Sequence, residues 1–283
     1  MTWISGKTRV CGLIDDPIEH ALSPGMHNAA FKKLGLDYVY VPFKVKQENL
    51  KEAIAGLRAL NVRGFNITIP HKMAVIPFLD RIDPIAGKIG AVNTVVNDGG
   101  TFSGYYIDDS GFLQSWLEEG IEPKGKRIVI LGAGGSAKAI AFILAERGAH
   151  LVILNRHSER AQELASRISP DVRAGALTAE NLAENLKEAG IIINTTSVGM
   201  VPDTDATPVP SQLLSSKLVV VDIVYNPIET RLLKEVKAAG ARTIDGVAML
   251  VWQGAQGFEK WTGVKAPVAV MREEVLKGLR REK

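Results

Sequence analysis

Apolar positions along this chain follow two alternating rhythms. Short runs rich in β-branched and aromatic residues fall at 9–14, 38–45 and 64–69, and helical three-to-four-residue spacing falls at 26–34 and 50–60. That alternation predicts a parallel or mixed sheet with helices on its faces. Runs at 91–96 and 101–106 flank Asn97-Asp98-Gly99-Gly100, where Asp and Gly suit the positive φ of a tight turn, so these strands are expected to pair antiparallel. A helix is predicted from about Asp109 to Glu119. After a polar stretch at 120–125, a second series begins, with strands at 127–131, 150–154, 191–194, 218–224 and 241–244 in doubly wound order. Two helical patterns, 249–261 and 268–279, close the chain. No strand follows them, so they are expected to cover the first domain. The boundaries drawn from this pattern are 1–107 with 246–283 for one domain and 108–245 for the other.

The second series opens on recognisable chemistry. The apolar run Arg127-Ile-Val-Ile-Leu131 leads directly into Gly132-Ala133-Gly134-Gly135-Ser136-Ala137, and a helix-forming run starts at Lys138. Small residues at this spacing let the backbone turn sharply and approach a pyrophosphate, which rests on the free N–H groups of the helix start. The strand before, the helix after and the strand at 150–154 supply the context that the pattern requires. An NAD site carries a carboxylate at the end of that second strand for the ribose 2′-hydroxyl. Here the chain reads Asn155-Arg156-His157-Ser158-Glu159-Arg160. Two guanidiniums can hold a 2′-phosphate by charge-assisted bonds, so NADP is the expected cofactor. Solvated arginines at a helix start are the competing explanation, and a Glu159 turned inward would weaken the site. The fold class is therefore α/β: an N-terminal mixed-sheet domain, a doubly wound Rossmann-type domain for NADP, and C-terminal helices packing back on the first.

Composition narrows the class further. The 34 basic and 31 acidic residues are mixed along the chain, without the basic stripe that nucleic acid would require. The single cysteine, Cys11, lies in an apolar run, which rules out an intrachain disulfide and fits a reducing, cytoplasmic compartment. The first seven residues hold no apolar segment of signal-peptide length, and no stretch approaches the roughly 20 apolar residues that span a bilayer. A soluble protein without a metal is expected. A homodimer is compatible with the pattern.

Three stretches of the first domain are polar beside strands that should be buried: 20–28, 65–72 and 90–94. Each has a plain structural explanation when taken alone. Ser23-Pro24 makes a good helix start, with the hydroxyl at the N-cap and proline at the first helical position. Asn66 and Thr68 alternate on one face of a strand expected to end at Pro70, which aims them and Lys72 at its carboxyl end. Asp108 could be an ordinary N-cap.

Taken together, and in order, these stretches resemble the shikimate dehydrogenase family over nearly the whole chain. The matching segments are Ser23 to Asn28, Asn66-x-Thr68-x-Pro70-x-Lys72, Gly90-Ala-Val-Asn93-Thr94, Gly104 to Phe112 around Asp108, and Gly132 to Ala137. Further along come Asn155-Arg156, Asn194 to Met200, Tyr225-Asn226-Pro227 and Gly246 to Gln253. The resemblance implies NADPH-dependent, reversible reduction of the C3 ketone of 3-dehydroshikimate on the route to aromatic amino acids. It implies Lys72 and Asp108 as the catalytic pair, which suits ketone reduction, because a lysine held by a carboxylate stabilises charge developing on oxygen and passes a proton. It further implies that Ser23, Asn66, Thr68, Asn93 and Gln253 bind the small cyclic hydroxy acid, with Tyr225 beside them. Gly246 and Met249, with Thr195, Thr196, Ser197, Val198 and Ile223, would line the nicotinamide.

The chain departs from the family pattern at the substrate side. Where the family reads His-Ser-x-Ser-Pro and Gly-x-Asn-Thr-Asp-Gly, this chain has Ala21 for the first serine, and Tyr106, Ile107 and Asp109 around Asp108. Asp15 stands where a glycine is common. Loss of the two hydroxyls at Ala21 and Ile107 costs on the order of 1 to 3 kcal/mol each if their partners stay buried. Ile107 is also expected to raise the carboxyl pKa of its neighbour Asp108 by desolvation. Two alternatives stay open at this point: a dehydrogenase for a related cyclic hydroxy acid such as quinate, and a catalytically weak, ligand-binding relative.

Overall fold

The computed structural model describes residues 4–68 and 70–281. The chain forms two compact units, one made of residues up to Ile107 together with those from Val251, the other of Asp108–Leu250.

The first unit contains β1 (Arg9–Asp15), α1 (Ser23–Leu34), β2 (Tyr38–Lys44), α2 (Leu50–Ala59), β3 (Gly64–Ile67), β4 (Arg81–Ile82), α3 (Pro84–Ile89), β5 (Thr94–Asp98) and β6 (Thr101–Tyr105). Its six strands run in the order β2-β1-β3-β5-β6-β4. β1 is parallel to β2 and β3, whereas β5 is antiparallel to both β3 and β6, so the sheet is mixed, as expected. Asp98 pairs with Thr101 across a two-residue turn. The positive φ there comes from Gly99 and Gly100, and Asp98 does not share it.

The second unit begins with α4 (Asp108–Glu118), β7 (Arg127–Leu131), α5 (Gly135–Glu146), β8 (His150–Asn155), α6 (Ser158–Ile168), β9 (Arg173–Ala176) and α7 (Ala179–Leu186). It continues with β10 (Ile191–Asn194), β11 (Val219–Asp222), α8 (Arg231–Ala238) and β12 (Arg242–Ile244). All six strands are parallel, in the order β9-β8-β7-β10-β11-β12. This is the dinucleotide-binding arrangement, in which the strand order reverses between β7 and β10 and ligands bind beyond the carboxyl ends at that point. Its central strands are apolar on both faces because helices cover both. Ile128, Ile130 and Ile193 face one core, and Val129, Leu131 and Ile192 the other.

Two helices close the chain, α9 (Gly246–Thr262) and α10 (Val268–Arg281). α10 packs on α1, through a buried stripe of Met271, Val275 and Leu279 at helical spacing. The C-terminal helices thus return to the first unit. Trp261, at the end of α9, lies against β3 where Gly64 leaves room: a Cβ at Gly64 would fall 2.3 Å from the indole. The indole Nε1 donates to the Val95 carbonyl at 3.0 Å. Cys11, on the adjacent β1, is fully buried and free.

Several local expectations are corrected. Ser23 is the first residue of α1 and not its N-cap; Leu22 holds that position, with no side-chain cap bond. The strand expected at 64–69 ends at Ile67, and Ile69 lies outside the described residues. The helix after the glycine segment starts at Gly135, three residues before Lys138, so Ser136 and Ala137 belong to its first turn. Two strands carried no recognisable pattern. β4 is two residues long, and β9, Arg-Ala-Gly-Ala at the sheet edge, is only half-buried.

Candidate active site

In the second unit the predicted cofactor residues gather at the carboxyl ends of β7, β8 and β10. Gly132 leaves β7 at φ +112°, a conformation that L side chains rarely adopt, and a Cβ there would meet Thr195 Oγ1 at 2.6 Å. Thr195 donates from both N and Oγ1 to the Leu131 carbonyl, at 2.9 and 2.7 Å, which locks the 195–198 loop beside the glycine turn. Beyond it, Gly134 is the N-cap of α5 without a side-chain cap. Nothing approaches the positions where a Cβ would stand on Gly134 or Gly135. A helix start with free N–H groups, a positive dipole end and open space above it fits a pyrophosphate. Ala133 and Ser136 flank this opening, and Ala137 is buried beneath it.

At the end of β8, Asn155 donates Nδ2–H to the His157 carbonyl at 2.9 Å, shaping the turn. Arg156 and Arg160 are exposed, and neither guanidinium meets a carboxylate among the described residues. Glu159 is exposed too; its carboxylate is held below the usual range by its own backbone N–H and by Ser158 Oγ, 3.2 Å away. It is spent on the start of α6, leaving both arginines for an anion.

Behind the 195–198 loop lies a buried polar group that the residue pattern alone did not reveal. Asp222, at the end of β11, is fully buried; it accepts from Asn194 Nδ2 at 2.9 Å, Val224 N at 3.1 Å and Thr230 Oγ1 at 2.7 Å. Burial raises its pKa, while those hydrogen bonds work the other way. Asn194 Oδ1 in turn accepts from Thr196 N and Oγ1, at 3.0 and 2.7 Å, and Thr196 Oγ1 accepts from Val198 N at 3.2 Å. Ser197 and Val198 are therefore carried on a hydrogen-bonded scaffold. Gly246 is pressed against the same strand end: a Cβ there would lie 2.3 Å from the Ile223 carbonyl oxygen. Met249 follows one turn later on α9 and packs, as Ile223 does, against the core that includes Val221 and Ile244.

Among the candidate substrate residues of the first unit, Asn66 lies within β3, Thr68 just after it, and Asn93 just before β5, which runs antiparallel to β3; Tyr225 belongs to the second unit. Asn66 and Asn93 are buried and linked, since Asn66 Nδ2 donates to the Asn93 carbonyl at 3.3 Å and to Thr94 Oγ1 at 2.9 Å. Asn93 Oδ1 accepts the Ile107 N–H at 3.0 Å, holding the residue that precedes Asp108. The Lys72 carbonyl accepts from Val92 N at 2.8 Å, and Lys72 Nζ lies 5.5 Å over the Tyr106 ring. One loop, Val92-Asn93, thus secures both the candidate lysine and the turn leading to the candidate aspartate. Thr68 is half-buried, its N–H bonded to the Ile14 carbonyl at 3.2 Å. Ser23, Ala21 and Gln253 are likewise half-buried, and Tyr225 is exposed. Of the departures, Ile107 is buried, and its Cδ1 lies 3.6 Å from where a Cβ on Gly257 would stand.

Burial shifts two carboxyls near these residues. Asp109 is 2% exposed and is pushed up to about 6, chiefly by burial. Asp15 is pushed up to about 6 by the same cause, against hydrogen bonding from Asp16 and the field of His71. Both are positions where this chain departs from the family pattern.

Known proteins bear on this arrangement. The model of the shikimate dehydrogenase substrate binding domain matches residues 13–95, that of shikimate / quinate 5-dehydrogenase residues 117–248, and that of the shikimate 5'-dehydrogenase C-terminal domain residues 246–276. A shikimate dehydrogenase (NADP(+)) of Methanosarcina acetivorans is 48% identical over 277 residues, covering 96% of this chain and 99% of that one. A crystal structure of a shikimate dehydrogenase in complex with NADP+ superposes with a TM-score of 0.92 at 44% identity, covering 98% and 97% of the two chains. The Thermus thermophilus shikimate 5-dehydrogenase, in complex with NADP(H) and shikimate, gives a TM-score of 0.87 at 37% identity, over 95% and 99%.

Proposed function

This chain belongs to the shikimate dehydrogenase family, and from that membership we propose that it reduces 3-dehydroshikimate to shikimate, reversibly, as an NADP-dependent oxidoreductase. The observation that carries the reading to this chain's own residues is the Val92-Asn93 loop. Its hydrogen bonds hold the backbone of Lys72 and the Ile107 N–H immediately before Asp108.

NADPH supplies the hydride when bound. The chain's residues supply the rest. The glycine turn and the start of α5 take the pyrophosphate, and Arg156 and Arg160 take the 2′-phosphate by charge-assisted bonds, with Asn155 setting their turn. Thr195 to Val198, Ile223, Gly246 and Met249 form the nicotinamide side. We assign Lys72 and Asp108 as the catalytic pair: the ammonium stabilises charge developing on the ketone oxygen and passes the proton to it, with Asp108 completing the pair. Ser23, Thr68, Asn93 and Gln253 are assigned to the carboxylate and ring hydroxyls, with Tyr225 beside them and Ala21 as an apolar wall; Asn66, expected among the ligands, bonds to Tyr40, Asn93 and Thr94 and is assigned a place behind them. We place the domain that binds the cyclic acid at 1–107 with 246–283 and the NADP domain at 108–245. We place the protein in the reducing cytoplasm. A homodimer is the assembly for sedimentation to test; among the described residues no helix is long and apolar enough to cross a membrane.

The test follows NADPH absorbance with shikimate or quinate, each with NADP or NAD. Shikimate with NADP is expected to give the highest kcat/KM. Absence of turnover with all four pairs overturns the reading, and full activity in Lys72→Ala removes the mechanistic assignment.

A further inference from the structure

Two backbone groups fix the polarity of a buried hydrogen-bond chain in the first unit. At one end the Ile107 N–H can only donate, so the Asn93 side-chain atom 3.0 Å from it is the carboxamide oxygen. At the other end the Asn93 carbonyl can only accept, so the Asn66 atom 3.3 Å from it is the amide nitrogen. Between them Thr94 Oγ1 accepts from Asn66 Nδ2 at 2.9 Å and spends its single proton on Asn93 Oδ1 at 3.3 Å. Asn66 Oδ1 is then turned towards β2, where the Tyr40 hydroxyl donates to it at 2.7 Å. Tyr40, Asn66, Asn93 and Thr94 are all buried.

This polarity has a chemical consequence at Asn93. Its oxygen already accepts from Thr94 Oγ1 and from Ile107 N, and its Nδ2 has no hydrogen-bond partner among the described residues. Asn93 therefore offers a ligand donors only, and it cannot flip without facing the Ile107 N–H with another donor. Asn66, by contrast, has both Nδ2 protons spent, and its Oδ1 accepts from Tyr40 with one lone pair left over.

We propose that Tyr40, Asn66 and Thr94 are positioning residues that hold Asn93 as an obligate donor to an oxygen acceptor of the substrate, with Tyr40 as the terminal anchor. The proposal rests on the shikimate dehydrogenase reading for the identity of that substrate. Tyr40 acts from two strands away: it pairs with Cys11 on β1, Cys11 pairs with Gly64 on β3, and Asn66 is the next residue on that face. Its ring is held by His27, stacked at 4.4 Å, and by Trp261 at 5.8 Å.

The experiment compares Tyr40→Phe, Thr94→Val and Thr94→Ser by steady-state kinetics, calorimetric Tm, and NMR hydrogen exchange at the Ile107 amide. In Tyr40→Phe and Thr94→Val, the KM for shikimate is expected to rise about tenfold with the KM for NADP unchanged. Exchange at Ile107 is expected to accelerate by an order of magnitude or more. Thr94→Ser keeps the hydroxyl and is expected to recover most of the Thr94→Val defect. An unchanged Ile107 exchange rate in both disrupting variants overturns the relay, as does a parallel rise in both KM values that tracks Tm and is not recovered by serine. Exchange needs no turnover. A wild-type chain inactive on shikimate but with the expected exchange pattern would overturn the functional reading and leave the relay standing.

Discussion

Asn194 donates its Nδ2–H to Oδ1 of Asp222 at 2.9 Å, and this one bond ties together the ends of two neighbouring parallel strands. Asn194 and Asp222 are register partners, the last residues of β10 and β11. The loops that follow these two strands carry Thr195 to Val198 and Ile223, the nicotinamide-side candidates.

Removing the acceptor should therefore damage stability and cofactor binding together. Asp222→Ala strands three buried donors, from Asn194, Val224 and Thr230, and is expected to cost about 3 kcal/mol or more in urea unfolding, with NADP affinity reduced. Asp222→Asn keeps an oxygen for Asn194 and Val224 and can donate to Thr230 Oγ1. It should lose less than about 1 kcal/mol.

Cofactor choice should lie with two exposed arginines. If Arg156 and Arg160 hold the 2′-phosphate as proposed, Arg156→Ala and Arg160→Ala each delete a charge-assisted bond, for which about 1.5 to 3 kcal/mol is the usual magnitude, so the KM for NADP should rise roughly 10- to 100-fold. The KM for NAD, measured on the same preparations, should be unchanged. Equal effects on both cofactors would mean that the arginines only shape the turn.

Two glycine replacements should have opposite signs. Gly246→Ala places a methyl 2.3 Å from the Ile223 carbonyl oxygen, a backbone atom that cannot swing away, so α9 must shift and NADP binding is expected to collapse in titration calorimetry. Gly56→Ala, inside α2 with nothing within 4 Å of the new methyl, should raise stability by about 0.5 to 1 kcal/mol.

Acid should find His27. Burial in an aromatic cluster lowers its pKa from 6.5 to about 3, and neither ring nitrogen has a hydrogen-bond partner. The folded state thus holds the imidazole neutral while the unfolded chain protonates below 6.5, so this contribution is complete above that value and is lost as pH falls towards 3. Between pH 7.5 and 4.5 the loss is about 2 to 3 kcal/mol. Asp15 and Asp109 act in the opposite direction. Their raised values favour folding at low pH, and that contribution fades as pH climbs through about 6. Comparing the pH dependence of unfolding in wild type and His27→Phe isolates the histidine: the variant should have the flatter acid limb, and superimposable curves would refute the assignment.

What the residue pattern revealed, and what it hid, divides along physical lines. β7 and β10 were recognisable because strands covered on both faces must be apolar throughout, and the glycine segment because a pyrophosphate tolerates nothing bulkier beside it. β9 was not, because an edge strand reading Arg-Ala-Gly-Ala carries neither alternation nor a buried run. Ser23-Pro24 suggested a cap, yet the helix takes Ser23 into its first turn. At the site, Lys72 and Asn93 stood out as polar groups beside buried strands. Tyr40 did not, since an aromatic residue on a strand is unremarkable until the sheet register brings it over Asn66. Ile107 was expected to raise its neighbour Asp108 by desolvation; the carboxyl that burial pushes up at this turn is instead Asp109.

Cys11 has one more consequence. The only thiol of the chain is fully buried, with its pKa pushed up to about 12 by burial, so at neutral pH it is almost wholly protonated and shielded from electrophiles. The folded protein is therefore expected to be silent towards maleimide reagents. A single cysteine introduced on any exposed loop would be its sole attachment point for a fluorophore or spin label, and ligand-driven motion could be followed without first stripping the background.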